Sequence, residues 1–179
     1  GAPYVRRLMS GFPQLLGYNV PKAWKWIART AGAPTLSGKD DAAHVLFWKY
    51  AQPEVYARTE VFLGSKDYLN LRLTGKCAAS YDSVHLFWVT DARDPNAIRY
   101  DDELIALLGI DRDKLPPLHA STDVLGPLRA DCADAMGLPR GVPVVLGSPD
   151  HQCALIGSGA VRDYEAHLYV GTSSWIECI

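Results

Sequence analysis

GVPVVLGSPDHQCALIGSG, residues 141–159, holds three signals in a fixed order. Val142, Val144, Val145 and Leu146 form a short apolar run, which predicts a buried strand. Gly147, Ser148 and Pro149 break the run. Asp150 then opens a second apolar segment, Cys153 to Ile156, which ends at Gly157-Ser158-Gly159. The reading is strand, tight turn, short helix. In open α/β sheets, ligands bind in the crevice beyond the carboxyl ends of the strands. Asp150 is expected there, beside a helix N-terminus, where a negative charge is favoured. An ionised carboxylate in that place can accept a proton from a substrate hydroxyl. It can equally serve as an N-cap that satisfies the orphan amides of the first helical turn.

The whole chain bounds what such a unit can do. Its 179 residues suit one domain, or one and part of a second. Apolar residues make up 48%, enough for a sizeable core, and a net charge of −2 leaves no basic stripe. Nucleic acid is therefore excluded as an expected partner. No apolar run nears the ~18 residues of a membrane-spanning helix. No signal-peptide pattern is present. The chain starts at Gly1 without a Met, which suits a fragment or a processed chain. The four cysteines, Cys77, Cys132, Cys153 and Cys178, are widely spaced and include no CxxC pair. Neither a metal site nor a disulfide framework is expected from them, and reduced thiols suit the cytoplasm. Cys153, on an apolar segment, reads as a small core residue.

Upstream, the first hundred residues read as mainly helical. Helices are expected over 3–12, over 20–31 with Pro21 in the first turn, and from Asp40 or Asp41 to just before Pro53. Trp24, Ile27 and Ala28 share one face of the second, and Trp24, Trp48 and Trp88 are read as core. Residues 59–63 resemble a short strand. Ser65 is expected to cap a helix that ends at Gly75. Residues 78–82 are polar and irregular around Tyr81, and Leu86 to Val89 is an apolar run of open type. Further helices are expected at 103–108, closed by Gly109, and at 128–136, closed by Gly137. Residues 115–118 are read as extended. His44, His85, His119 and His167 are scattered and read as structural or surface residues. Two resemblances to nucleotide-binding loops fail. Gly32 to Lys39 has the wrong spacing for a phosphate-binding loop and lacks its Mg-binding hydroxyl, and Gly157-Ser158-Gly159 lacks the third glycine of a dinucleotide fingerprint. No G-x-S-x-G elbow supports a hydrolase.

The end of the chain alternates: His167 to Val170, then Gly171-Thr172-Ser173-Ser174, then Trp175 to Ile179. That predicts a β-hairpin. The Gly-Thr-Ser turn exposes amides and two hydroxyls, a nest that can hold phosphate oxygens; an ordinary hairpin turn has the same composition. An acid facing such a loop supplies both needs of phosphoryl transfer: a base for the acceptor hydroxyl and donors for the transferred group.

With these two turns, the sequence resembles the FGGY carbohydrate kinases, especially their xylulokinase-like members. The matching words keep their order: FLGSKDYLNLRLTGK (62–76), DDELIALLGID (101–111), KLPPLHASTDVLGPL (114–128), AMGLPRGVPVVLGSPDHQCALIGSGAV (135–161) and HLYVGTSSW (167–175). The resemblance spans roughly residues 45–179 and implies an α/β, actin-like ATPase (ribonuclease H-like) fold, present in part. Residues 1–160 would be the later part of the N-terminal domain, and 161–179 the first hairpin of a truncated C-terminal domain. The implied activity is ATP-dependent phosphorylation of a sugar or polyol hydroxyl, with Mg2+. Asp150 takes the place of the family's general base. Gly171, Thr172 and Ser173 match its ATP-phosphate turn, while Tyr81, His151 and Gln152 match substrate-facing positions. The expected partners are a small sugar or polyol and, as an assembly, a second copy. Two residues depart from the pattern: His151 replaces a Gln or Asn, and Ser80 replaces an Asp before the aromatic. The family's N-terminal phosphate loop, adenine pocket and upstream sugar ligands are missing from these residues. Ser80 and His151 also admit a catalytically silent module that binds a sugar or nucleotide.

Overall fold

The computed structural model describes residues 1–171 and 174–178. α1 (Ala2–Leu8) stops before the Ser10-Gly11 turn, so Phe12 is exposed and the expected run to residue 12 is too long. β1 (Gln14–Leu15) and β2 (Tyr18–Asn19) pair as a short hairpin. Asn19 ends that hairpin and caps α2 (Val20–Thr30), its Oδ1 accepting from the Lys22 amide at 3.0 Å. α3 (Asp41–Ala51) follows the polar loop. α4 (Pro53–Arg58), which the sequence reading missed, takes Pro53 in its first turn, where no amide is needed. α5 (Ser65–Thr74) ends on left-handed Gly75. Ser65 is its first helical residue; Gly64 holds the cap position.

The second half alternates short strands with helices. β3 (Ala79–Ser80) is followed by a 3-10 turn, His85–Phe87, then by β4 (Thr90–Asp91) and β5 (Arg99–Tyr100). α6 (Asp102–Leu108) is capped by Asp101, and β6 (Leu118–His119) and β7 (Val124–Pro127) lead to α7 (Ala130–Met136). β8 (Pro143–Val145), α8 (Asp150–Gly157), β9 (Ala166–Val170) and β10 (Ser174–Cys178) complete the described chain. Among the described residues the strands form five two-stranded sheets. Four are antiparallel, and β3 with β6 is parallel.

One apolar core joins α1, α2, α3, α6 and the 3-10 turn through Val5, Trp26, Leu46, Leu104, Leu108 and Val84. A buried polar chain runs through it. Trp26 Nε1 donates to Trp88 O at 2.8 Å, and Trp88 Nε1 donates to Asp40 Oδ2 at 2.5 Å. Asp40 also accepts from the amide and hydroxyl of Thr35. It stands at the N-cap of α3 yet spends its carboxylate on this chain, with no capping bond of its own. Trp88, in the left-handed region at φ 58°, is held there by both its indole and its carbonyl.

Several expectations are corrected. Trp24 is 69% exposed and Trp48 is exposed too; Trp26 and Trp88 are the tryptophans of the core. Residues 59–63 make no ladder; the Phe62 amide instead donates to Lys114 O at 2.8 Å. Cys153 is exposed, since the helix face it occupies has nothing packed over it among the described residues. The strand expected over 142–146 covers only 143–145, and Val145 is exposed. β8 pairs on one side alone, with β7, so only Leu146 reaches the interior.

Candidate active site

The turn after β8 is fastened from several directions, and that is what aims α8. Leu146 O accepts from Asn70 Nδ2 at 2.8 Å and from Lys66 Nζ at 2.9 Å, so α5 clamps the end of the strand. Lys66 is paired in turn with buried Asp67 at 2.6 Å. The amides of Leu146 and Gly147 donate to Asp123 O and Ser121 O at 3.0 and 2.8 Å. Gly147 has φ 73°, a conformation that costs a side-chain-bearing residue. Ser148 Oγ then donates to Asp82 Oδ2 at 2.5 Å, tying the turn beside Tyr81 to the turn before Asp150. The Lys66, Asp67 and Asn70 cluster lies in the FLGSKDYLN word and positions the site from beneath.

Asp150 is the first residue of α8; Pro149 occupies the cap position and offers no side-chain bond. The carboxylate is therefore not the cap of this helix. Its side chain is fully exposed, at 106% of the reference area, with His151 Nδ1 4.0 Å away. It stands at the mouth of a cleft of about 680 Å³ between α8, the 3-10 turn and the β9–β10 hairpin. His151, His85, Trp175 and Glu177 line the same cleft. Trp175 stacks on Tyr169 at 5.0 Å between ring centres and meets His151 edge-on at 6.4 Å. Burial, and the neighbouring His151, push the His85 imidazole below its ordinary range, while Glu177 and Asp82 pull the other way.

The other expected site residues are distributed unevenly. Tyr81 is half-buried in the turn after β3, its amide donating to His119 O at 3.1 Å, and it does not line the cleft. Gln152 lies on the next step of α8, with Oε1 shielded and unpaired among the described residues. The predicted hairpin is present, with Trp175 opposite Tyr169 and Glu177 opposite His167. Gly171 follows β9, and a Cβ there would lie 2.8 Å from Tyr169 Oη, so a larger residue would require the Tyr169 side chain to shift. Thr172 and Ser173 lie outside the described residues, as does Ile179. Among the described residues no group of three or more His, Cys, Asp or Glu side chains is placed to hold a metal ion. No helix among them is long and apolar enough to cross a membrane.

Two cleft residues are not read as functional from the sequence: His85 reads as structural or surface, and Glu177 is not singled out. His85 had no local signal, because a turn far from α8 in sequence brings it there. Glu177 did have one: it shares a strand face with Trp175 two residues earlier.

Comparison with known proteins adds a frame to this geometry. The xylulose kinase of Escherichia coli (strain K12) is 31% identical over 133 residues, which are 74% of this chain and 26% of that protein. A crystal structure of xylulose kinase from Rhodospirillum rubrum superposes with TM-score 0.75 at 27% identity, over 86% of this chain and 30% of that one. Plasmodium falciparum glycerol kinase, solved with ADP, superposes with TM-score 0.77 over 98% of this chain and 33% of that one. At 15% identity that likeness speaks for the fold alone. The chain thus spans about a quarter of the length of the curated relative and a third or less of the solved ones. Its fold is part of the α/β, actin-like ATPase fold of these kinases. The model of the FGGY family of carbohydrate kinases, N-terminal domain, matches residues 34–157, well over half of the sequence, and the chain belongs to that family.

Proposed function

We propose that this chain is part of an ATP-dependent carbohydrate kinase in which Asp150 is the general base for a sugar or polyol hydroxyl. The observation that carries the reading is the state of Asp150: first in its helix, uncommitted to capping, and open at the mouth of a cleft. ATP, when bound, supplies the γ-phosphoryl group. Asp150 takes the hydroxyl proton at a carboxylate oxygen, which raises the nucleophilicity of the sugar oxygen as it approaches phosphorus. His151 and Gln152 orient the sugar through the polar atoms of an imidazole and an amide. Tyr81 belongs to the reading as a family-matched substrate-facing position, and its neighbour Asp82 holds Ser148 and so the turn.

Gly171, Thr172 and Ser173 belong to that reading as positions matching the family's ATP-phosphate turn. Mg2+ belongs to it as well, where it would neutralise charge on the transferred phosphoryl group. The domain division at residue 160, a cytoplasmic location and a homodimer complete the proposal.

The test uses the full-length protein. Asp150→Asn should lower kcat by ~10²–10⁴, the usual worth of a positioned general base, with sugar affinity and melting temperature nearly unchanged. An amide can still hydrogen-bond the hydroxyl but cannot take its proton. Near-normal turnover removes Asp150 from the mechanism. A wild-type protein that binds sugar without consuming ATP points to the silent module instead.

A further inference from the structure

The hairpin that closes the cleft is turned the unexpected way round. Antiparallel pairs with one solvated face usually bury the apolar side. In β10 the half-buried positions are Trp175 and Glu177, while Ser174, Ile176 and Cys178 are exposed. In β9 only His167 is half-buried, and Leu168 and Val170 point outward. The covered face is therefore aromatic and polar. Glu177 Oε2 is shielded there and has no hydrogen-bond partner among the described residues. Glu177 also lines the cleft, where a carboxylate accepts from whatever hydroxyl fills it. His85 lines the same cleft from the 3-10 turn, its ring tilted against Trp88 at 5.2 Å. Burial and His151 favour its neutral form, which presents one donor and one acceptor. No Lys or Arg is among the described lining residues, whereas two carboxylates, Asp150 and Glu177, are.

We propose that Glu177 and His85 form a hydroxyl-binding subsite beside Asp150, in which Glu177 accepts from a second hydroxyl of the sugar. The subsite rests on the kinase reading for the identity of its ligand. Its charge sets its selectivity: the two carboxylates, with no cation facing them, admit neutral ketoses and polyols and repel sugar acids. Specificity here comes from a strand of the hairpin and a 3-10 turn, neither of which the general base needs for its own chemistry.

Full-length wild type and Glu177→Gln are compared with D-xylulose, glycerol and gluconate, by steady-state kinetics and by calorimetric Kd. The expected result is a KM and Kd for the preferred neutral substrate raised about tenfold or more, as for a lost hydrogen bond to a charged group. The KM for ATP stays unchanged, and the affinity for gluconate relative to the neutral substrate rises. Should Glu177→Gln lower the melting temperature, Glu177→Asp keeps the charge but withdraws it by one methylene. It should raise the neutral-substrate KM in the same direction while gluconate stays excluded. An unchanged ratio between neutral and acidic substrates in both variants overturns the subsite while leaving the kinase reading standing. Sugar binding without turnover by the wild type sinks the kinase reading, yet the Kd values still decide on Glu177. A wild type that binds none of the three compounds overturns the subsite outright.

Discussion

Asp91 shows how one residue can hold a pH dependence. It is buried at the end of β4, and its carboxylate accepts from Arg93 Nε and Nη2 at 2.8 and 2.7 Å and from Arg99 Nη2 at 3.1 Å. Hydrogen bonding to Arg93, and the positive charge of both arginines, hold it well below the usual carboxylate range against the opposing effect of burial. A carboxylate with a lowered folded pKa adds stability above its unfolded value of about 3.9, and that stability is lost as the pH falls through the folded value. Both arginine side chains are largely exposed, so screening limits the effect. Asp91→Asn should cost about 1–2 kcal/mol at neutral pH and flatten the fall in stability below pH ~4 in urea titrations. A variant as acid-sensitive as the wild type would assign that fall to other carboxylates. The sequence word DARDPNAIRY gave no warning of this, because an Asp two residues before one Arg and eight before another looks like an ordinary charged loop.

At the scale of the element, α2 separates periodicity from packing. Its pattern put Trp24 and Ile27 on the apolar face, but the chain buries Trp26 and Thr30 instead. The indole of Trp26 reaches Trp88 O, and Thr30 Oγ1 bonds the Trp26 and Gly32 carbonyls, so a polar network decides which side faces inward. Trp26→Ala should destabilise by about 3–5 kcal/mol, the usual cost of deleting a buried aromatic. Trp24→Ala should stay within about 1 kcal/mol, as for an exposed position. Chemical denaturation of both variants checks this, and a large loss at Trp24 in the full-length protein would mean that the α2 face is covered there. The helices with capping residues and closing glycines were legible: Asp101 and Gly109 frame α6, and Gly75 and Gly137 end α5 and α7. Two-residue strands such as β3 and β6 were not, because so short a run has no period. Their pairing is a tertiary fact, made by residues 39 positions apart (Ala79 with Leu118). The strand, turn and helix around Asp150 were legible because glycine and proline punctuate them, but the exposure of β8 was not: apolar residues imply burial only when a neighbouring layer exists.

The exposure of these apolar faces is a property of the whole molecule. Leu168, Val170 and Ile176 are 62%, 75% and 73% exposed on the outer face of the hairpin, and Val145 of β8 is exposed as well. Contiguous apolar exposure of this kind marks a surface that something else covers. The chain matches only a fraction of its relatives' length, and strands pairing on one side only are what a cut through a larger sheet leaves. In the full-length protein, further strands should lie against β9–β10 and β8. Amide hydrogen exchange reads this directly, since protection tracks the free energy of local opening. For the 179-residue chain alone, the amides of 166–170 and 174–178 should exchange at least about 100-fold faster than in the full-length protein, while those of α3 and α6 differ little. Leu168→Ser and Ile176→Ser should be nearly silent in the short chain and destabilising by about 1–3 kcal/mol in the long one, the transfer cost of a buried aliphatic side chain. Equal protection of the hairpin in both would mean that its outer face stays in water.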